Sequence, residues 1–328
     1  MAQSHGMTLS IVIPVYGCSR TLQPLHERLS RVLPTLAEQY EIIFVDDRGP
    51  DDAWTTLQEL AKGDPHVIAC RLSRNFGQQA ALVAGLEQSR GDHVVVMDCD
   101  LQDPPEAIEK LVAAARQGFD VVFAKRKTPF RPAVRDFGSR LYFRLLSLLS
   151  GYPIDHELGA FSLISRRVVD AFVKFRERDR QYLMILYWLG FETTTIEYDR
   201  AARTIGRSGY GLGKLMALGL SGMVFMTTRL LHWVVYVGLA LAAAGGILAL
   251  YFLVRWFVVG SVPGWTSLIV VQLLVGGLSI LCIGITALYI GKIFEASQQR
   301  PLFVLQDRID GADLAARART DPAAKRDS

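Results

Sequence analysis

The sequence predicts an α/β protein with a doubly wound, mainly parallel sheet, followed by an interfacial helix and a two-helix transmembrane hairpin. Three observations carry this. Apolar, strand-like runs alternate with helix-periodic segments from residue 9 to 124. One run, Val94-Val95-Val96-Met97, passes straight into Asp98-Cys99-Asp100-Leu101-Gln102-Asp103-Pro104-Pro105. Two stretches, 230–254 and 266–291, lack Asp, Glu, Lys and Arg, and each has about the length that crosses a bilayer as a helix.

The elements follow in order. Leu9 to Tyr16 reads as a first strand, and Leu22, Leu25, Leu29, Val32, Leu33 and Leu36 then recur at helical spacing. Glu41 to Val45 is a second strand that ends at Asp46-Asp47, with a helix over Ala53 to Lys62 after it. Val67 to Leu72 is a third strand, Gly77 to Gln88 a helix, and the next strand ends at Asp98. Pro104 and Pro105 suit the first turn of a following helix, where a missing N–H costs nothing. Phe119 to Ala124 is a further strand. Arg131 to Leu149 reads as a helix rich in arginine, lying at a lipid surface or solvated as an ordinary surface helix. A short strand at Ala160 to Ile164, helical segments through Val168 to Leu189 and a strand at Glu192 to Tyr198 complete the domain, set at residues 1–209.

Residues 210–229 carry few charges and read as an interfacial helix, and 230–294 as the hairpin. Arg255, Trp256 and Trp265 mark its turn, and Trp suits the interface. Arg229, Lys292 and Arg300 flank the outer ends, which puts both termini and the catalytic domain on the cytoplasmic side of the inner membrane. Residues 295–328 read as a cytoplasmic tail, largely disordered from Gly311. Cys18, Cys70, Cys99 and Cys282 show no metal or redox spacing and read as reduced, mostly packed thiols. The net charge of +4 among 328 residues says little about partners. A transporter does not fit two spans without an interior charge pair.

The chemistry concentrates where strands end. Carboxyl ends of parallel strands are where open α/β sheets bind ligands. There the acidic cluster that begins at Asp98 and Asp100 offers hard oxygens suited to Mg²⁺ or Mn²⁺ on a diphosphate. The turn Tyr16-Gly17-Cys18-Ser19-Arg20 lacks the glycine spacing of a dinucleotide fold, and Gly209-Tyr210-Gly211-Leu212-Gly213-Lys214 is not a P-loop.

Four motifs occur together and in order: Ser10-Ile11-Val12-Ile13-Pro14-Val15-Tyr16, Ile42-Ile43-Phe44-Val45-Asp46-Asp47, Ser73-Arg74-Asn75-Phe76-Gly77-Gln78-Gln79-Ala80-Ala81, and Met97 to Pro105. With them the chain resembles inverting family 2 glycosyltransferases of GT-A fold, and more closely the bacterial polyprenyl-phosphate glycosyltransferases and the dolichol-phosphate mannose synthases. The resemblance spans residues 9 to about 294. It implies a nucleotide-sugar donor (UDP- or GDP-linked) bound by Pro14, Val15, Tyr16, Asp46, Asp98 and Arg203. It implies a metal held by Asp98, Asp100 and Gln102, catalysis by Asp98, Asp100 and Arg126, and a lipid phosphate met by Arg126, Arg135 and Ser139. Expected partners are the nucleotide sugar, a polyprenyl phosphate, the bilayer and a possible second copy, with no nucleic acid.

The departures from that pattern matter. Gly17-Cys18 replaces an Asn-Glu pair, Ser208-Gly209-Tyr210 replaces Ser-Lys-Tyr, and Ala160 stands where relatives often carry an acid sometimes proposed as base. Losing a base would hurt transfer to a hydroxyl and matter little for a phosphate, which is already anionic. Asp155, His156 and Glu157 are the nearby substitutes. The expected function is sugar transfer to a polyprenyl phosphate. The alternatives are transfer to a hydroxyl of a lipid-linked saccharide, or an inactive membrane scaffold of the same fold.

Overall fold

The computed structural model describes residues 6–127, 158–175, 181–199 and 264–320, with scattered positions between 236 and 258. The element order is β1 (Thr8–Val15), α1 (Ser19–Leu36), β2 (Gln39–Asp46), α2 (Ala53–Gly63), β3 (Val67–Leu72), α3 (Gln78–Gln88), β4 (His93–Val96), α4 (Ile108–Ala115), β5 (Val121–Arg126), β6 (Leu158–Ser165), α5 (Arg166–Val173), α6 (Tyr182–Leu189), β7 (Thr193–Tyr198), α7 (Trp265–Ser297), β8 (Leu305–Asp310) and α8 (Gly311–Thr320).

The strands form one sheet in the order β7-β5-β6-β4-β1-β2-β3-β8. The β1–β2, β1–β4, β2–β3 and β5–β7 pairs are parallel, whereas β6 runs antiparallel to β4 and β5, and β8 to β3. The sheet is therefore a mixed one. Its central strands are buried on both faces, as their unbroken apolar runs require. Leu9, Ile11, Ile13 and Val15 of β1 face one core with Leu22, Leu25 and Leu29 of α1. Val12 faces the other, with Leu82, Val83 and Leu86 of α3. Gly85 lets α3 settle on the sheet: a Cβ there would stand 2.3 Å from Val12 Cγ1.

Two expectations change. The segment 305–320 is not a disordered tail. It adds β8 to the open edge of β3, with Ile68 opposite Asp310 and Leu72 opposite Leu305. Asp310 then stands before α8 and accepts the Ala312 N–H at 3.1 Å, an N-cap. A Cβ on Gly311 would lie 2.3 Å from Asp64 O, so glycine is what lets α8 start against the end of α2. By contacts, residues 301–320 belong to the unit that holds the sheet. The sequence Leu305-Gln306-Asp307-Arg308-Ile309-Asp310 has only two apolar residues, so it carries no apolar run to read as a strand.

The second change concerns the hairpin. Among the described residues no helix is long and apolar enough to cross a membrane, so the two-helix hairpin is not shown. α7 runs unbroken over 33 residues, and several of its side chains lie outside the described ones. Those that are described include Leu268, Ile280, Ile283 and Ile293, all exposed. The segments 131–149 and 210–229 lie outside the described residues.

Candidate active site

The parallel register brings three strand ends side by side. Val15 pairs with Asp46, Val12 pairs with Val96, and the Met97 N–H continues that ladder onto Val12 O at 3.1 Å. The loops carrying Tyr16, Asp46-Asp47 and Asp98 to Asp103 therefore leave the sheet from one edge. Of the three residues expected at the first strand end, only Tyr16 presents a side chain to solvent. Pro14 and Val15 are buried, and Val15 O already accepts the Asp47 N–H at 3.0 Å.

Both carboxylates at the end of β2 are buried and engaged. Asp46 Oδ1 accepts the Arg48 N–H at 3.1 Å, and its Oδ2 is ion-paired with Arg71 at 3.2 Å. Burial pushes its pKa up, against the pull of Arg71 and the amides of Gly49 and Arg48. Asp47 Oδ1 and Oδ2 accept the Phe76 and Gly77 N–H groups at 2.7 and 2.9 Å. Burial raises this pKa too, offset by those two amides. Asp47 thereby fixes the turn at Gly77, whose φ of +96° favours glycine. The next residue, Gln78, donates Nε2 to Asp98 Oδ1 at 2.9 Å. None of this chain from Asp47 through the turn to Asp98 was readable from spacing.

The loop after β4 holds the expected metal residues in unequal positions. Asp98 and Asp100 are half-buried, and Asp100 Oδ1 accepts the Gln102 N–H at 3.1 Å. Gln102 is itself buried, at 5% exposure, so the two carboxylates are the more accessible oxygens. Leu101, between Asp100 and Gln102, has φ +60°, a conformation costly for a bulky residue. Among the described residues no three His, Cys, Asp or Glu side chains converge on one point. Two hard carboxylates at a strand end nevertheless fit Mg²⁺ or Mn²⁺, which usually takes one or two protein carboxylates and completes its shell with phosphate oxygens and water.

A second network borders this loop. Tyr198 donates its hydroxyl to Asp103 Oδ1, and Arg126 Nε donates to the same phenol oxygen at 3.5 Å. Burial and the Asp103 charge push the Tyr198 pKa up. Arg126 ends β5 opposite Tyr198. A Cβ on Gly159 would lie 3.2 Å from Arg126 Nη2, so the Gly159-Ala160 segment borders this arginine without offering a carboxylate. Arg135, Ser139 and Arg203, with Asp155, His156 and Glu157, lie outside the described residues.

The cysteines differ from expectation. Cys18 and Cys99 are joined in a disulfide, while Cys70 and Cys282 are free. A separation of 81 residues gave no motif. What brings the two together is the parallel pairing of β1 and β4, which places the turns after them side by side.

Comparison with known proteins now decides the family. Residues 10–172 match the model of Glycosyl transferase family 2. An uncharacterized glycosyltransferase, YkcC, of Bacillus subtilis is 33% identical over 305 residues, covering 92% of this chain and 94% of its own. The chain belongs to glycosyl transferase family 2. This family 2 glycosyltransferase is also 32% identical over 303 residues to a bactoprenol glucosyl transferase of Shigella phage SfV, covering 92% of this chain and 99% of that one. Among solved structures, glucosyl-3-phosphoglycerate synthase from Mycobacterium tuberculosis in complex with Mn²⁺, UDP and phosphoglyceric acid aligns at a TM-score of 0.45 and 20% identity, over 66% of this chain and 76% of that one.

Proposed function

We propose that this glycosyltransferase moves one sugar from a nucleotide-sugar donor to a polyprenyl phosphate, inverting the anomeric centre in a single displacement. The observation that carries the acceptor is the near full-length likeness to proteins named bactoprenol glucosyl transferase. The site is consistent with it. Asp98, oriented by Gln78, and Asp100 would hold Mg²⁺ or Mn²⁺, which when bound neutralises charge on the departing nucleoside diphosphate. Asp46 and Tyr16 would border the nucleoside of the UDP- or GDP-linked sugar. Arg126, braced by Tyr198, would meet phosphate. Ala160 supplies no base beside Arg126, and a phosphate acceptor needs none because its oxygen is already anionic.

The acceptor is a lipid, and a membrane anchor would convert an encounter into a positioned reaction. We place residues 230–254 and 266–291 as a hairpin in the inner membrane with both termini cytoplasmic. The exposed apolar side chains of α7 support this reading. At 33 residues α7 spans roughly 50 Å, more than the ~30 Å of a bilayer's hydrocarbon core. Arg135 and Ser139 would face the lipid phosphate, and Arg203 the donor diphosphate.

The test incubates membranes containing the protein with a panel of labelled nucleotide sugars and extracts the lipid. The expected product carries the label on a mild-acid-labile phosphodiester. Label released by mild acid as part of a longer saccharide, not as the single sugar, supports the hydroxyl acceptor instead. No labelled lipid with any donor supports an inactive scaffold.

A further inference from the structure

The loop from Asp98 to Asp103 is tied to the turn after β1. Cys99 sits between the two accessible carboxylates and is bonded to Cys18 in the turn after β1. Thr21 Oγ1 lies 2.8 Å from Cys18 O and 2.6 Å from Cys99 O, so one buried hydroxyl stands between the same two segments. Both cysteines and Thr21 are less than a tenth exposed. The loop they hold includes Leu101 in a left-handed conformation, which persists only where surroundings over-determine it. Of these restraints only the disulfide depends on redox conditions. On a cytoplasmic face a disulfide is usually transient and redox-sensing.

We propose that Cys18 and Cys99 form a redox-responsive clamp that positions the Asp98–Asp100 loop for metal and diphosphate. It rests on the reading of Asp98 and Asp100 as the metal-holding carboxylates. In the releasing step a thiolate of a dithiol attacks one cysteine sulfur, and the Cys18–Cys99 bond breaks. The second thiolate then resolves the mixed disulfide. Two electrons pass to the protein, which gains two thiols, and the reagent leaves as its own disulfide. Closing the clamp reverses this with a low-molecular-weight disulfide as oxidant. Cys18 and Cys99 are positioning residues, since neither is placed against the reacting atoms.

The experiment uses the full-length protein in detergent, oxidised with glutathione disulfide or reduced with dithiothreitol. Peptide mass mapping should find Cys18 linked to Cys99 after oxidation. Amide exchange over 97–103 should quicken roughly tenfold on reduction. Mn²⁺ binding should weaken, and kcat/KM should fall roughly ten- to a hundredfold, as misplacement of a positioned group does. Reoxidation should restore both. The C18A/C99A double variant should show the reduced behaviour and ignore either reagent, and C18S should do the same with the acidic loop unaltered. Free thiols at both positions after oxidation, unchanged exchange on reduction, or an equal response of the double variant to dithiothreitol would each overturn the clamp. Absence of Mn²⁺ binding in both redox states would remove the metal reading, and loop exchange would still decide the clamp.

Discussion

At the scale of single residues, Asp100 is the sharpest test of the site. It is half-buried in the loop after β4 and shares that loop with Asp98, which Gln78 orients. Asp100→Ala should reduce transfer by roughly a hundredfold or more, as loss of a group that stabilises developing charge does. The protein should remain folded and membrane-bound, and excess chelator should reproduce the loss in wild type. Full activity in the variant rules out the metal role. In the proposed function Arg135 and Arg203 serve different substrates. Loss of a charge-assisted hydrogen bond costs about 1.5–3 kcal/mol. Arg135→Ala should therefore raise the requirement for polyprenyl phosphate far more than that for the nucleotide sugar, and Arg203→Ala should do the reverse. Initial rates with each substrate varied in turn show the split. Weakening of the same substrate by both variants would contradict it.

At the scale of elements, the C-terminal strand and helix act as part of the sheet. Asp310 is buried, caps α8 through Ala312 and pairs with Arg308 at 2.7 Å. Asp310→Ala should cost about 0.5–2 kcal/mol, the usual range for a lost cap, read as a lower denaturation midpoint. An unchanged midpoint would mean that α8 adds nothing to the fold. The end of α2 is held similarly. Burial works to raise the Asp64 pKa, but the His66 N–H and the rings of His26 and His66 outweigh it, so its carboxyl lies below the ordinary value. Its bonds therefore contribute stability above the unfolded pKa, and that stability is lost as pH falls through the folded one. Asp64→Asn should flatten the stability profile on the acid side, below about pH 4; an unaltered profile would count against the network. β1 to β5 were legible because buried parallel strands are unbroken apolar runs, such as Ile42-Ile43-Phe44-Val45 and Val94-Val95-Val96. β8 was not, because it covers an edge and only Leu305 and Ile309 of its residues are apolar. The roles of Asp47, Gln78, Tyr198 and the Cys18–Cys99 pair depend on contacts across strands, which spacing along the chain does not encode.

At the scale of the whole molecule, the hairpin proposed for this family 2 glycosyltransferase can be tested by its topology. The loop from Val259 to Trp265 should then face away from the cytoplasm. A cysteine introduced as Ser261→Cys, in a background where Cys282 is replaced by Ala, should be labelled from outside by an impermeant reagent. Labelling only after the inner membrane is permeabilised would contradict the topology. The residues that bear on the sugar were the least legible, because its recognition belongs to pocket shape, which spacing along the chain does not encode. The most direct test of the central claim supplies the full-length enzyme with a defined polyprenyl phosphate, the donor identified from the labelled panel and Mg²⁺ or Mn²⁺, and weighs the lipid product by mass spectrometry. The expected product is the acceptor plus one sugar, joined as a phosphodiester, with no such product from Asp100→Ala. Unmodified polyprenyl phosphate beside a lipid-linked saccharide that has gained the sugar would contradict it.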